Sequence, residues 1–162
     1  TMIPLRDRLL RRLMAEDRQG RLLACYPVAP DHPGQSVNLH SKLIIVDGRF
    51  LRIGSSNLNN RSLGMDTECD IAVEAADALD QRIITRFRDQ LLAEHLAADL
   101  VTVEAALRHA GGALLPAVRS LLQTRGGLHP FALEPGLAEN PAPAAMALFD
   151  PAEPFDLGLS WR

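Results

Sequence analysis

Apolar positions recur at helical intervals from the start of the chain. Leu5, Leu9 and Leu13, with Leu10 beside them, follow Pro4, a residue suited to a first helical turn. Arginines occupy the other faces and Gly20 closes the segment, which predicts an amphipathic helix with its charges in solvent. "RLLACYPV" (21–28) predicts a buried strand stopped by Pro27 and Pro30, and "APDHPGQS" (29–36) is a loop by composition. Two strand-like runs then flank Val46-Asp47-Gly48-Arg49, whose Asp-Gly pair predicts a tight hairpin. Gly54-Ser55-Ser56-Asn57 breaks the second run, and Ser55 or Ser56 is placed to cap a short helix opening there. "ECDIAVEA" (68–75) predicts a further strand. "DALDQRIITRFRDQLLAEHL" (77–96) predicts a long helix with Ile83, Ile84, Phe87, Leu91 and Leu92 as its apolar stripe. "TVEAALRHA" and "LLPAVRSLLQ" predict two short helices separated by Gly111-Gly112. From residue 126 onward the chain is rich in proline and alanine and poor in pattern. The expectation is an α/β fold over 1–125, a mixed β-sheet with helices packed on it, followed by irregular cover or a tail over 126–162.

Composition narrows the function classes. Hydrophobic residues make up 47% and charged residues 23% of 162 positions, an ordinary balance for one globular domain or part of a larger one. A net charge of -3 and a pI near 5.9 argue against a globally basic nucleic-acid binder, while leaving room for a local basic site. Cys25 and Cys69 lack metal-ligand or CxxC spacing and read as buried structural thiols. No pair among the five histidines has HxxxH or HxH spacing, so no metal ligand set is expected. No apolar run approaches the roughly 18 residues of a spanning helix. Residues 1–21 carry six arginines and no signal-peptide core. The abrupt Thr1-Met2 start reads as a piece of something longer, whose location is expected to be cytoplasmic or membrane-associated.

The chemistry concentrates in "VNLHSKLIIVDGRFLRIGSSNLNNRS" (37–62). Residues two apart on a strand point the same way, so His40 and Lys42 share a face that Ile44 and Val46 continue inward. A hairpin returns the second strand, bringing Gly54–Asn57 close to His40 and Lys42. Gly54 lets a ligand approach the backbone. A helix opening at Ser55–Asn57 would add free N–H groups, Lys42 a full charge and Asn57 an amide donor. Such a cradle fits a phosphate diester, whose negative charge must be neutralised before a nucleophile reaches phosphorus. Losing one such donor typically costs about 3 to 4 kcal/mol of barrier. His40 could attack phosphorus directly if a carboxylate or carbonyl held the proton on its other nitrogen; Glu68 and Asp70, projecting from one face of the next strand, are the candidates. Six specified residues at fixed offsets arise by chance roughly once in 10^8 windows, at about 5% per position.

His40-x-Lys42-x4-Asp47-x6-Gly54-Ser55-x-Asn57 resembles the HKD motif, H-x-K-x4-D-x6-G-S-x-N, of the phospholipase D superfamily, without gap or substitution. "NLNNRSLGMDTECDIAV" is similar to the phospholipid-acting branch, and "FRDQLLAEHL" to bacterial two-motif members. The resemblance is strong over residues 1–97; "FDPAEPFD" looks like the C-terminal cover of that group. It implies that His40 is the nucleophile or the general acid of a histidine pair, with a phosphohistidine intermediate. Lys42 and Asn57 match phosphate-binding residues, with Ser55 supporting the same region. Glu68 matches the acidic residue that orients the histidine. Asp47 and Gly54 are structural motif positions, and Arg61 and Ser62 brace the loop of the lipid branch.

A complete site in this superfamily takes two motifs. The other histidines are His32, His95, His109 and His129, and none has a lysine two residues later. The resemblance therefore implies a half-domain, the C-terminal catalytic half of a bacterial two-motif phospholipase D-like protein. Its mate would come from the parent chain or from a homodimer. The expected partners are a phospholipid and a water or alcohol acceptor, without a cofactor, and the parent is expected to meet membranes rather than nucleic acid. A cardiolipin-synthase-like phosphatidyltransferase is the near alternative. A homodimeric superfamily endonuclease is a second, and a non-enzymatic scaffold a third, though a scaffold would predict damage to the motif. The isolated half should expose an apolar face where its mate docks.

Overall fold

In the computed structural model, the described residues are 2–29, 31–32, 35–122 and 127–133, with side chains from Arg6 onward. The order is α1 (Met2–Glu16), β1 (Cys25–Val28), β2 (Lys42–Val46), β3 (Phe50–Gly54), α2 (Asn60–Gly64), β4 (Asp70–Glu74), α3 (Ala78–His95), α4 (Leu100–His109), α5 (Leu114–Leu121) and β5 (Gly127–Pro130). The α/β class therefore holds, but the expected mixed sheet gives way to two small antiparallel sheets. One is a β1–β5 ribbon, the other a β2-β3-β4 meander. A tight turn explains the β2–β3 pairing, since it can only return an antiparallel strand; β3 and β4, joined through α2, pair antiparallel as well.

The β2–β3 turn is made by Asp47 and Gly48, at φ 53 and 65, with Arg49 N–H donating to the Val46 carbonyl at 2.9 Å. Positive φ at both central residues matches the right-handed twist of the flanking strands. Lys42 pairs with Gly54 and Ile44 with Arg52; Gly54 in turn pairs with Asp70. Directly opposed residues share a face. One face of the meander thus carries Lys42, Ile44, Arg52 and Asp70, and the other carries Leu43, Ile45, Leu51, Ile53, Ile71 and Val73.

The core lies among the helices. Ala93, Leu96, Val103, Leu107, Ala117 and Val118 form one buried cluster joining α3, α4 and α5, and Leu128 of β5 packs against it. Helix α3 starts where Asp77 accepts from the N–H groups of Leu79 and Asp80, and α4 where Asp99 accepts from Thr102. The apolar face of the meander is only partly covered by α3. A groove of about 590 Å³ runs between Leu43, Ile45 and Ile53 on the sheet and Phe87 and Leu91 on the helix. At the β4 edge, Ile71 is 70% exposed.

Several local expectations change. Pro27 lies inside β1 instead of ending it, which a strand paired on one side tolerates. Leu9 and Leu13 of α1 are exposed, because none of the described elements covers that stripe. On α3, Ile84 is buried while Ile83 is exposed, since neighbouring helical residues point about 100° apart. Cys25 is half-buried and Cys69 exposed, so neither thiol is a core residue; partial burial pushes the Cys25 thiol up. Gly127–Pro130, inside the segment expected to be irregular, forms a strand, while the remainder of the proposed tail from residue 134 lies outside the described residues.

Candidate active site

His40 lies just before β2 and is exposed. Lys42, the first residue of β2, folds back on it: Nζ donates to the His40 carbonyl at 2.7 Å and lies 3.0 and 3.2 Å from the two ring nitrogens. An ammonium only donates, so an imidazole nitrogen meeting it does so through a lone pair. The charge and the imidazole therefore meet, but because the lysine folds back, not because a strand aligns them: His40 lies outside β2.

Residues 54–57 are held by β4 through two clips. The Ser55 hydroxyl donates to Glu68 and accepts from the Cys69 N–H at 2.9 Å, while the Ser55 N–H donates to the Cys69 carbonyl at 3.1 Å. The Ser56 hydroxyl and N–H both donate to the Asp70 carboxylate, the N–H at 3.2 Å. Arg52 Nη2 donates to the same carboxylate at 2.9 Å. The Ser56 hydroxyl, helped by the Arg52 guanidinium, holds the Asp70 carboxyl below the usual value. Ser56 is among the few buried polar residues of those described.

These clips correct two expectations. No helix opens at Ser55–Asn57; α2 begins at Asn60, capped by Asn59, whose side chain accepts from the Ser62 N–H at 2.8 Å. A serine hydroxyl committed to a carboxylate on another strand is not available to cap. The space above Gly54 is likewise not open to a ligand: a Cβ there would lie 1.7 Å from Asp70 Oδ1 and 2.6 Å from the Cys69 carbonyl oxygen. Glycine at this position makes room for the clip.

Lys42 and Asn57 line one cleft of about 270 Å³, with Ser41, Ile44, Arg52 and Ser56 among its other walls. His40 adjoins it through Lys42. Glu68 receives Ser55, and Asp70 receives Ser56 and Arg52. Asp47 sits at the far end of the hairpin in the turn. Arg61 and Ser62 belong to α2, where Arg61 pairs with Asp66 at 2.8 Å and Ser62 is buried. Sequence reasoning missed Arg52. Its signal was a lone charge in the strand "FLRIG", two residues before Gly54 and so on the Lys42 face. Among the described residues no group of His, Cys, Asp and Glu is placed to hold a metal ion, and no helix is long and apolar enough to cross a membrane.

A small α/β scaffold thus gathers an imidazole, an ammonium and an amide beside a serine loop. The chain belongs to the phospholipase D-like family: the family model described as "Cardiolipin synthase, PLD-like domain" matches residues 7–91. It is similar to phospholipase D A of Dictyostelium discoideum, at 33% identity over 75 residues, which is 38% of this chain and 6% of that protein. It is also similar to two Arabidopsis thaliana proteins. Identity to phospholipase D zeta 1 is 39% over 66 residues, 40% of this chain and 6% of the relative. Identity to phospholipase D zeta 2 is 44% over 57 residues, 34% of this chain and 5% of the relative. The chain thus spans about one-twentieth of the length of the curated relatives it matches. No solved structure matches it significantly.

Proposed function

We propose that this chain is one catalytic half of a phosphodiesterase that cleaves or exchanges phospholipid headgroups. The observation that carries the reading is the meeting of Lys42 and Asn57 in one cleft with His40 against Lys42. A phosphodiester entering the cleft replaces the imidazole as the acceptor for Lys42 and releases the ring for chemistry. One histidine of a pair then bonds to phosphorus as the bond to the headgroup oxygen breaks, and the other gives that oxygen a proton. Water, deprotonated by the second histidine, next attacks phosphorus, and the phosphorus–nitrogen bond breaks to give phosphatidic acid. An alcohol in place of water gives headgroup exchange. His40 takes one of these two roles. Lys42 and Asn57 stabilise the charge that builds on the phosphoryl oxygens. Glu68 meets Ser55, not His40, and so keeps the loop in place; that it orients His40 in the complete site is carried over from the motif as part of the proposal.

The second histidine is proposed to come from a mate half, in the parent chain or a second copy. The exposed apolar face at Ile53, Ile71 and Val73 supports such a docked half. Bacterial origin, a C-terminal position in the parent and contact with a membrane belong to the same proposal. A phosphatidyltransferase of the cardiolipin-synthase kind uses the same first step with a lipid alcohol as acceptor, and the description of the matching family keeps that variant in view. The relatives' names favour lipid over nucleic acid as substrate.

The test is to quench turnover of the intact protein on a phospholipid labelled at phosphorus. Label on His40 or on the mate's motif histidine supports the mechanism. Headgroup release with label on neither overturns it, and plasmid nicking without headgroup release points to a nuclease.

A further inference from the structure

We propose that Arg52 is a second cation of the phosphate cleft and that Asp70 is the positioning residue that aims it. The proposal rests on the reading of the cleft as a phosphate site. Arg52 lies on the Lys42 face of the sheet, one row further along: it opposes Ile44 while Lys42 opposes Gly54. It lines the same cleft as Lys42 and Asn57. Both of its side-chain bonds, to Asp70 at 2.9 Å and to the Ser56 carbonyl at 3.5 Å, leave from one nitrogen, Nη2. A guanidinium carries five N–H donors in a planar fork suited to phosphate, so this pairing leaves donors for an anion.

Asp70 makes the arrangement specific. Its carboxylate joins Arg52 to the N–H and hydroxyl of Ser56, the residue before Asn57. One carboxylate therefore sets the cation and the amide-bearing loop relative to each other. The absence of a side chain on Gly54 is what lets it reach both. Lys42 and Arg52 both line the cleft, and Arg52 is the one paired with Asp70.

The experiment follows the Asn57 amide signals of the isotope-labelled chain by NMR while inorganic phosphate is added. Wild type should shift at Asn57. Arg52→Gln and Lys42→Gln should each weaken binding by roughly tenfold or more, the scale of a charge-assisted hydrogen bond. Asp70→Asn removes a negative charge beside the anion, so pure electrostatics predicts tighter binding. Positioning predicts weaker binding, with Arg52→Gln adding little in the Asp70→Asn background. Should Arg52→Gln lose its dispersed spectrum, Arg52→Lys decides, since it keeps the charge but not the fork and should weaken binding about threefold. Unchanged phosphate affinity in the Arg52 variants alongside a loss in Lys42→Gln overturns the Arg52 proposal and leaves the phosphate reading intact. Tighter binding by Asp70→Asn overturns its positioning role. A wild-type chain whose Asn57 and neighbouring signals ignore phosphate removes both the proposal and the reading beneath it.

Discussion

Ser55 and Ser56 have different partners, and the difference organises the site. Ser55 binds Glu68 and the Cys69 backbone, while Ser56 binds Asp70. Gly54 must stay small for the second clip to close. Gly54→Ala should therefore destabilise the chain by about 1–3 kcal/mol, the usual cost of overpacking, and loosen the 55–57 loop. Urea midpoints, with exchange protection of the Ser56 amide, check both effects. Asp70 also predicts a pH dependence. Its folded pKa lies below the ordinary 3.8, so the carboxylate contributes stability that is fully present above 3.8 and is lost as pH falls through the folded value. Asp17 and Asp99 shift in the same direction, because backbone N–H groups of Arg21 and Thr102 respectively hold their charged forms. Melting temperature should fall as pH drops below 3.8, and Asp70→Asn should show a shallower fall than wild type. Equal slopes would remove Asp70 from that account.

Among the elements, the hairpin is the part written most plainly in the sequence. Asp47-Gly48 takes the positive φ angles such a turn needs, and the pairing of Lys42 with Gly54 follows. The starts of α3 and α4, at Asp77 and Asp99, are side-chain caps of the ordinary kind. Asp77→Ala leaves the N–H groups of Leu79 and Asp80 without their acceptor and should cost about 1 kcal/mol, read from thermal or urea unfolding. Asp77 lies outside the cleft, so phosphate binding should not change. The helix expected at Ser55 failed because a local capping signal competed with carboxylates 13 and 14 residues away, and the distant partners won. No local pattern reveals that competition.

For the whole molecule, the buried cluster of α3, α4 and α5 and the half-open meander should respond differently to truncation. Leu96 is 1% exposed, so Leu96→Ala should cost about 2–5 kcal/mol in a urea melt. Ile71 is 70% exposed, and Ile71→Ala should stay within about 0.5 kcal/mol in this chain alone. In the intact protein the same Ile71 change should weaken docking of the mate half, if that half covers the sheet. On the proposed two-histidine mechanism, headgroup release by the chain without its mate should be about 10^2 to 10^4 slower than by the intact protein. Comparable rates would mean that the chain completes its site by self-association, which sedimentation would reveal.

The sequence by itself determined the hairpin, the spacing of His40, Lys42 and Asn57, and the long helix. Each depends on residues a few positions apart, where φ preferences and side-chain periodicity act directly. Only the tertiary structure decided that Arg52 joins the cleft, that Asp70 and Glu68 grip the two serines, that Gly54 makes way for a carboxylate, and that β5 returns to pair with β1. Those facts depend on strand register and on which distant groups meet. Contacts across strands are chosen by the packing of the whole chain, which no local window of sequence contains.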